Sequence, residues 1–201
     1  LVEEDFWTQA VEYADSVGAD IVTSSLGYTE FDDKAASHKY REQDGRTAII
    51  SRTASMISGK GMILTNSAGN TGAAKWKRIG FPGDAHDVLT VGALAPDSAN
   101  TTFSSVGPTY DGRVKPDVMA MGGYCTVING KGVVAHANGT SFSTPITCGL
   151  VACLWQALPN KTASEIMQLV RESADRADYP DNIFGYGIPN FWKAYQMGLN
   201  K

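Results

Sequence analysis

The residues best placed to do chemistry are those of Asn138-Gly139-Thr140-Ser141-Phe142-Ser143-Thr144-Pro145, which set a serine between a glycine-bearing turn and a long apolar run. A serine hydroxyl is a poor nucleophile at its own pKa. It needs a base, donors for a developing oxyanion, and a backbone that holds it exposed. This stretch offers the backbone: Gly139 can take dihedrals closed to other residues, Pro145 suits a helix's first turn, and residues 146–157 read as a buried helix. Ser141 then sits at a helix N-terminus, where free N–H groups and the macrodipole favour negative charge. Capping the helix is the other role open to Ser141, since serine is among the commonest caps. A second stretch, Ser67-Ala68-Gly69-Asn70, follows a predicted strand with small residues that let a ligand approach the backbone, then an asparagine amide.

Alternating elements must position these groups. Phe6, Ala10, Ala14 and Val17 recur at helical spacing before Gly18, which predicts an amphipathic helix over 5–17. The β-branched run 19–24 reads as a buried strand broken by Ser25-Leu26-Gly27, and the polar, mixed-charge stretch 28–46 as a long surface connection. A helix over 47–58, closed by Gly59, and a strand over 62–66 continue the alternation. Apolar strands alternating with helices predict an α/β fold with three α/β/α layers and a mostly parallel sheet, which binds ligands at its strand carboxyl ends. Residues 88–94 are a third strand, 101–105 a candidate fourth, and 114–120 a short extended segment. Asn129-Gly130 marks a hairpin between 125–128 and 132–135. Thr162-Ala163-Ser164-Glu165 is a capping box before a helix that buries Ile166, Leu169, Val170 and Ser173, and Asn190 caps a last helix over 191–197.

The 201 residues suit one domain, expected to span 1–201, and 43% hydrophobic with 19% charged residues is an ordinary globular balance. A net charge of -4 and the lack of a basic run exclude nucleic acid as the expected partner. No apolar stretch is long enough to span a bilayer, and the first residues lack the basic start and apolar core of a signal peptide. The chain starts without Met and is expected to be part of something longer. Cys125, Cys148 and Cys153 have no metal-ligand spacing, and the last two are expected to be buried in the apolar helix.

Taken in order, these segments resemble the C-terminal two-thirds of a subtilisin-like serine protease (subtilase) catalytic domain. Gly139-Thr140-Ser141-Phe142-Ser143-Thr144-Pro145 is similar to the family's Gly-Thr-Ser-x-Ser-x-Pro nucleophile motif, and Ser67-Ala68-Gly69-Asn70 to its oxyanion segment. Phe103-Ser104-Ser105-Val106-Gly107-Pro108, followed by Asp111-Gly112-Arg113-Val114-Lys115-Pro116-Asp117, matches a structural signature of larger members. The resemblance implies Ser141 as nucleophile and Asn70 as oxyanion donor. It implies that Ser25, Leu26 and Gly27 pair with a peptide backbone, and that Ser67, Ala68, Gly69, Gly80 and Thr140 complete a substrate site on a peptide or protein. No charge lines the implied pocket, so a large apolar residue is expected before the scissile bond. No cofactor and no metal are called for, and the family implies a secreted or cell-envelope location.

The departure is the base. In subtilisin the order is Asp, His, Ser, yet His38, His86 and His136 lie outside the family's His-Gly-Thr context and no Asp-Ser-Gly or Asp-Thr-Gly begins the chain. Each is expected to be a surface or loop histidine. The expected partner is a missing N-terminal segment carrying Asp and His, without which the fragment is inactive and exposes apolar surface that drives self-association. The alternative is a protease-like module that binds an extended peptide by strand addition without cutting it. A serine esterase of another fold would want Gly-x-Ser-x-Gly, where this chain has Ser143.

Overall fold

The computed structural model describes residues 2–200. Helix α1 (Val2–Ser16) buries Trp7 and Val11, one turn apart, and turns its other faces to solvent. Strands β1 (Ile21–Ser24), β2 (Ile63–Ser67), β3 (Leu89–Leu94) and β4 (Val118–Met121) pair in that order, every pair parallel. Strands β2 and β3 are buried along their whole length, because helices cover both faces. Neighbouring Ile63 and Leu64 enter opposite cores, as a period of two requires. Leu64 packs with Trp7, Ala54 and Ile57 under α1 and α2 (Ile49–Ile57). Ile63 packs with Val151, Ile166 and Val170 under α3 (Thr140–Ala157) and α4 (Ala163–Ser173), with Ala194 of α5 (Phe191–Leu199) in the same cluster. The three-layer α/β/α architecture is thus present.

Residues 101–105 form no strand; the fourth strand is β4, from the extended segment after Pro116. Strand β2 stops at Ser67, opposite Val91, so Ala93 lacks a ladder partner on that side. Thr101 and Ser104 replace it: Ala93 N–H donates to Ser104 Oγ at 3.0 Å, and Ala93 O accepts from Thr101 N–H at 3.2 Å and Thr101 Oγ1 at 2.9 Å. The left-handed residue after α2 is Gly61 (φ 86°), reached through a short 3-10 turn, rather than Gly59. Hairpin strands β5 (Cys125–Ile128) and β6 (Val134–Ala137) start their return later than Asn129-Gly130 predicts. Asn129 Oδ1 accepts from the N–H groups of Lys131 and Val133, which holds a longer loop.

Helix α3 departs most from expectation. It starts at Thr140, which leaves Pro145 inside the helix instead of in its first turn. Only one stripe faces the sheet, including Thr147, Val151 and Leu154, while Ile146 and Leu150 are 42% and 43% exposed. Cys153 is therefore exposed and Cys148 half-buried, and the buried thiol is Cys125. An apolar composition on every side of a helix hides which side packs.

The Asp111 to Asp117 signature closes the sheet. Lys115 Nζ donates to Val88 O, Thr90 Oγ1 and Asp117 Oδ2 (3.1, 3.0 and 2.6 Å), and Arg171 Nε of α4 donates to Asp117 Oδ1 at 2.8 Å. Burial works against the Asp117 charge, but Lys115 and Arg171 hold its carboxyl below the usual carboxylate range.

Candidate functional site

The segments that follow β1 and β2 meet the N-terminus of α3 around a cavity of about 180 Å³. Ser25 and Gly27 come from the first, Gly69 and Asn70 from the second just after Ser67 at the end of β2, and Gly80, Thr140 and Ser141 join them. Two of the predicted residues stand aside. Leu26 is 51% exposed, and Ala68 is fully buried with its carbonyl accepting from Gly80 N–H at 3.0 Å. Thr29 and Thr71 also line the cavity and were not predicted. They lie one or two residues beyond Gly27 and Asn70, in the loops that a strand-end rule points to. No charged side chain is among the lining residues.

Ser141 is the second residue of α3, so its N–H has no intrahelical acceptor and is free to donate into the cavity. Its carbonyl has a different fate. Pro145, four residues on, has no N–H to give it. Ser25 Oγ donates to Ser141 O instead, at 3.1 Å, which ties the helix start to the segment after β1.

Asn70 is oriented by Thr140. Its Oδ1 accepts from Thr140 N–H at 2.9 Å and from Thr140 Oγ1 at 3.0 Å, while Thr140 Oγ1 accepts from Gly69 N–H at 3.3 Å. With two donors on Oδ1 the amide has one orientation, and Nδ2 is left without a protein partner among the described residues.

None of the histidines hydrogen-bonds Ser141 among the described residues. His86 Nε2 contacts Asp44 O at 3.0 Å, and His136 stacks on Tyr124 with ring centroids 3.9 Å apart. His38 lies in a loop, as expected, but not at the surface: its side chain is 9% exposed, with Nε2 2.8 Å from Glu4 and Nδ1 3.4 Å from Glu42, and its ring stacks on Phe81 at 4.1 Å. Polar neighbours in sequence suggested solvent, but those carboxylates pair with the ring. Burial disfavours its charge, yet the Glu4 hydrogen bond and charge, then those of Glu42, raise its pKa above 6.5. No helix among the described residues is long and apolar enough to cross a membrane.

Known proteins are similar to this chain in sequence and in fold. The chain is 30% identical over 193 residues to the serine protease AprX of Bacillus subtilis (strain 168), covering 85% of this chain and 41% of that protein. It is 26% identical over 188 residues to subtilisin DY of Bacillus licheniformis, covering 92% of this chain and 60% of the relative. The chain thus spans less than two thirds of either. Among solved structures, the prenylagaramide maturation protease PagA superposes with a TM-score of 0.75 at 21% identity, over 98% of this chain and 68% of that one. The patellamide maturation protease PatA gives 0.74 at 24% identity, over 96% and 68%. At such identities the two structures speak for the subtilisin-like fold alone. Residues 3–187 match the subtilase family, and the chain belongs to it.

Proposed function

We propose that this chain carries the nucleophile and the oxyanion site of a serine endopeptidase, with Asp and His supplied by a segment outside it. The observation that carries the reading is the locked amide of Asn70, which leaves Nδ2 free at the cavity that Ser141 also lines. Ser141 Oγ attacks the scissile carbonyl as the external histidine takes its proton. The oxyanion accepts from Ser141 N–H and Asn70 Nδ2, and an acyl-enzyme forms as the amine leaves and is then hydrolysed by water. The magnitude known for such a donor belongs to subtilisin itself, a member of this family, where losing the asparagine costs about 2.7–4 kcal/mol.

Ser25 and Gly27 hold an extended peptide backbone beside Gly69, and the uncharged cavity takes a large apolar side chain before the scissile bond. The family's secreted or cell-envelope location extends to this protein as part of the same reading. Exposed Ile146 and Leu150 on α3 support either docking of the external segment or self-association of the isolated chain. The second reading, a peptide-binding module without turnover, is favoured by the lack of any histidine on Ser141 among the described residues.

Hydrolysis of casein and a peptide ester by the isolated chain and by the full-length protein tests both. The full-length protein should cleave, Ser141→Ala should abolish it, and the isolated chain should be inert. Cleavage by the isolated chain that Ser141→Ala abolishes would overturn the external base. A full-length protein that binds peptides but never cuts them would favour the binding module, and equal cleavage after Asp and Leu would sink the pocket assignment.

A further inference from the structure

The run 103–108 forms no strand, yet it is threaded between the Asn70 segment and the base of the cavity. Gly72 N–H donates to Phe103 O at 2.8 Å, Val106 N–H to Lys77 O and Ile79 N–H to Val106 O, both at 3.1 Å. At its centre Ser105, with no exposed surface, makes two bonds that bracket Asn70. Its N–H donates to Gly69 O at 2.9 Å, and its Oγ accepts from Thr71 N–H at 3.1 Å. Those are the peptide groups on either side of the Asn70 Cα, so one residue fixes both planes and with them the direction of the Asn70 side chain.

The hydroxyl protons have one consistent arrangement. Thr71 Oγ1 donates to Arg78 O at 3.2 Å, so in the 2.9 Å contact between Thr71 Oγ1 and Ser105 Oγ the proton belongs to Ser105. Ser105 Oγ thus accepts once, donates once and has no freedom to turn. Space is equally constrained: Gly69 has φ 108°, and a Cβ there would stand 2.9 Å from Ser105 Oγ. Neighbouring Ser104 is as deeply buried but serves the sheet, accepting from Ala93 N–H.

We propose that Ser105 is a positioning residue for Asn70, holding the amide in the place from which Nδ2 donates to the oxyanion. Its catalytic meaning rests on the endopeptidase reading; its effect on Asn70 does not. The test therefore begins on the ¹⁵N-labelled 201-residue chain, by comparing Ser105→Ala with Ser104→Ala. Each removes one buried acceptor from a backbone N–H, so a merely structural role predicts like behaviour. Ser105→Ala should shift or double the Asn70 side-chain amide resonances and speed hydrogen exchange at Thr71 N–H about tenfold, the worth of one net hydrogen bond. Ser104→Ala should do neither. An unmoved Asn70 amide in Ser105→Ala, or equal movement in both variants, overturns the proposal. Should Ser105→Ala not fold, Thr71→Val removes the acceptor of the Ser105 proton, and an unmoved Asn70 amide there is equally fatal.

In the full-length protein Ser105→Ala should lower kcat about tenfold with KM unchanged, and should cost nothing further once Asn70→Ala is present. Additive losses would overturn it. Inactivity of the wild-type full-length protein would instead refute the endopeptidase reading, with the resonance comparison still deciding the role of Ser105.

Discussion

His38 predicts a loss of stability as pH rises above 6.5 through its raised native pKa. Its ring lies between two carboxylates, with Nε2 2.8 Å from Glu4 and Nδ1 3.4 Å from Glu42, stacks on Phe81 and meets Phe31 in a T-shaped contact. Only the imidazolium donates from both nitrogens; a neutral ring turns a lone pair toward one carboxylate. Because the native pKa is raised above 6.5, the folded chain keeps a proton that the unfolded chain releases first. The stabilisation is complete below the unfolded pKa and is lost as pH rises through the raised native one. Within that window the free energy of unfolding falls by up to about 1.4 kcal/mol per pH unit. The nearby Tyr28 phenol is pushed above 10.0 by burial, then Glu3 and Glu4, and stays neutral throughout. His38→Gln keeps a donor but no charge and leaves the Glu4 carboxylate, 5% exposed, without its cation. The cost should be about 3 kcal/mol near pH 6, the lower end for a broken buried pair because Gln still donates, and should narrow as pH rises through the raised native pKa. Urea titrations of both proteins across that range read the effect, and subtraction removes whatever the two proteins share. A gap that stays constant with pH refutes the reasoning.

Lys115→Met removes three buried hydrogen bonds, to Val88 O, Thr90 Oγ1 and Asp117, and should cost about 3–5 kcal/mol by urea unfolding. A loss under about 1 kcal/mol would show that Arg171 alone suffices for Asp117. The isolated chain should self-associate with rising concentration in light scattering, and Ile146→Lys with Leu150→Lys should reduce it. A clean monomer at high concentration would count against the exposed face of α3 as its cause.

Ser141 and Asn70 are legible as candidates because part of what each needs lies beside it in the chain. The serine has Gly139 before it and a helix after it, and Asn70 follows small residues at a strand end. The parallel sheet is legible for a similar reason, since burial on both faces makes each strand apolar in an unbroken run. Ser105 is not, because its partners Gly69 and Thr71 lie more than 30 residues upstream. Its Thr-Thr-Phe-Ser-Ser setting suggests a strand by propensity, while the structure uses the hydroxyls as hydrogen-bonding groups. His38 is hidden by the same distance: charges beside it in sequence signal solvent until Glu4 arrives from α1.

Pro145 shows how a locally sound reading misses a structural link at the candidate site. Proline in a helix interior removes a hydrogen bond and costs about 3 kcal/mol, so placing it in the first turn is the cheaper assignment. The structure puts it inside α3, and the carbonyl it deprives is that of Ser141. That carbonyl becomes the acceptor for Ser25 Oγ. With no N–H available from residue 145, Ser25 Oγ supplies a donor to this carbonyl and ties the helix start to the segment after β1. The proline therefore stands where the start of α3 is tied to the segment after β1, and a broken local rule at that position marks the candidate site.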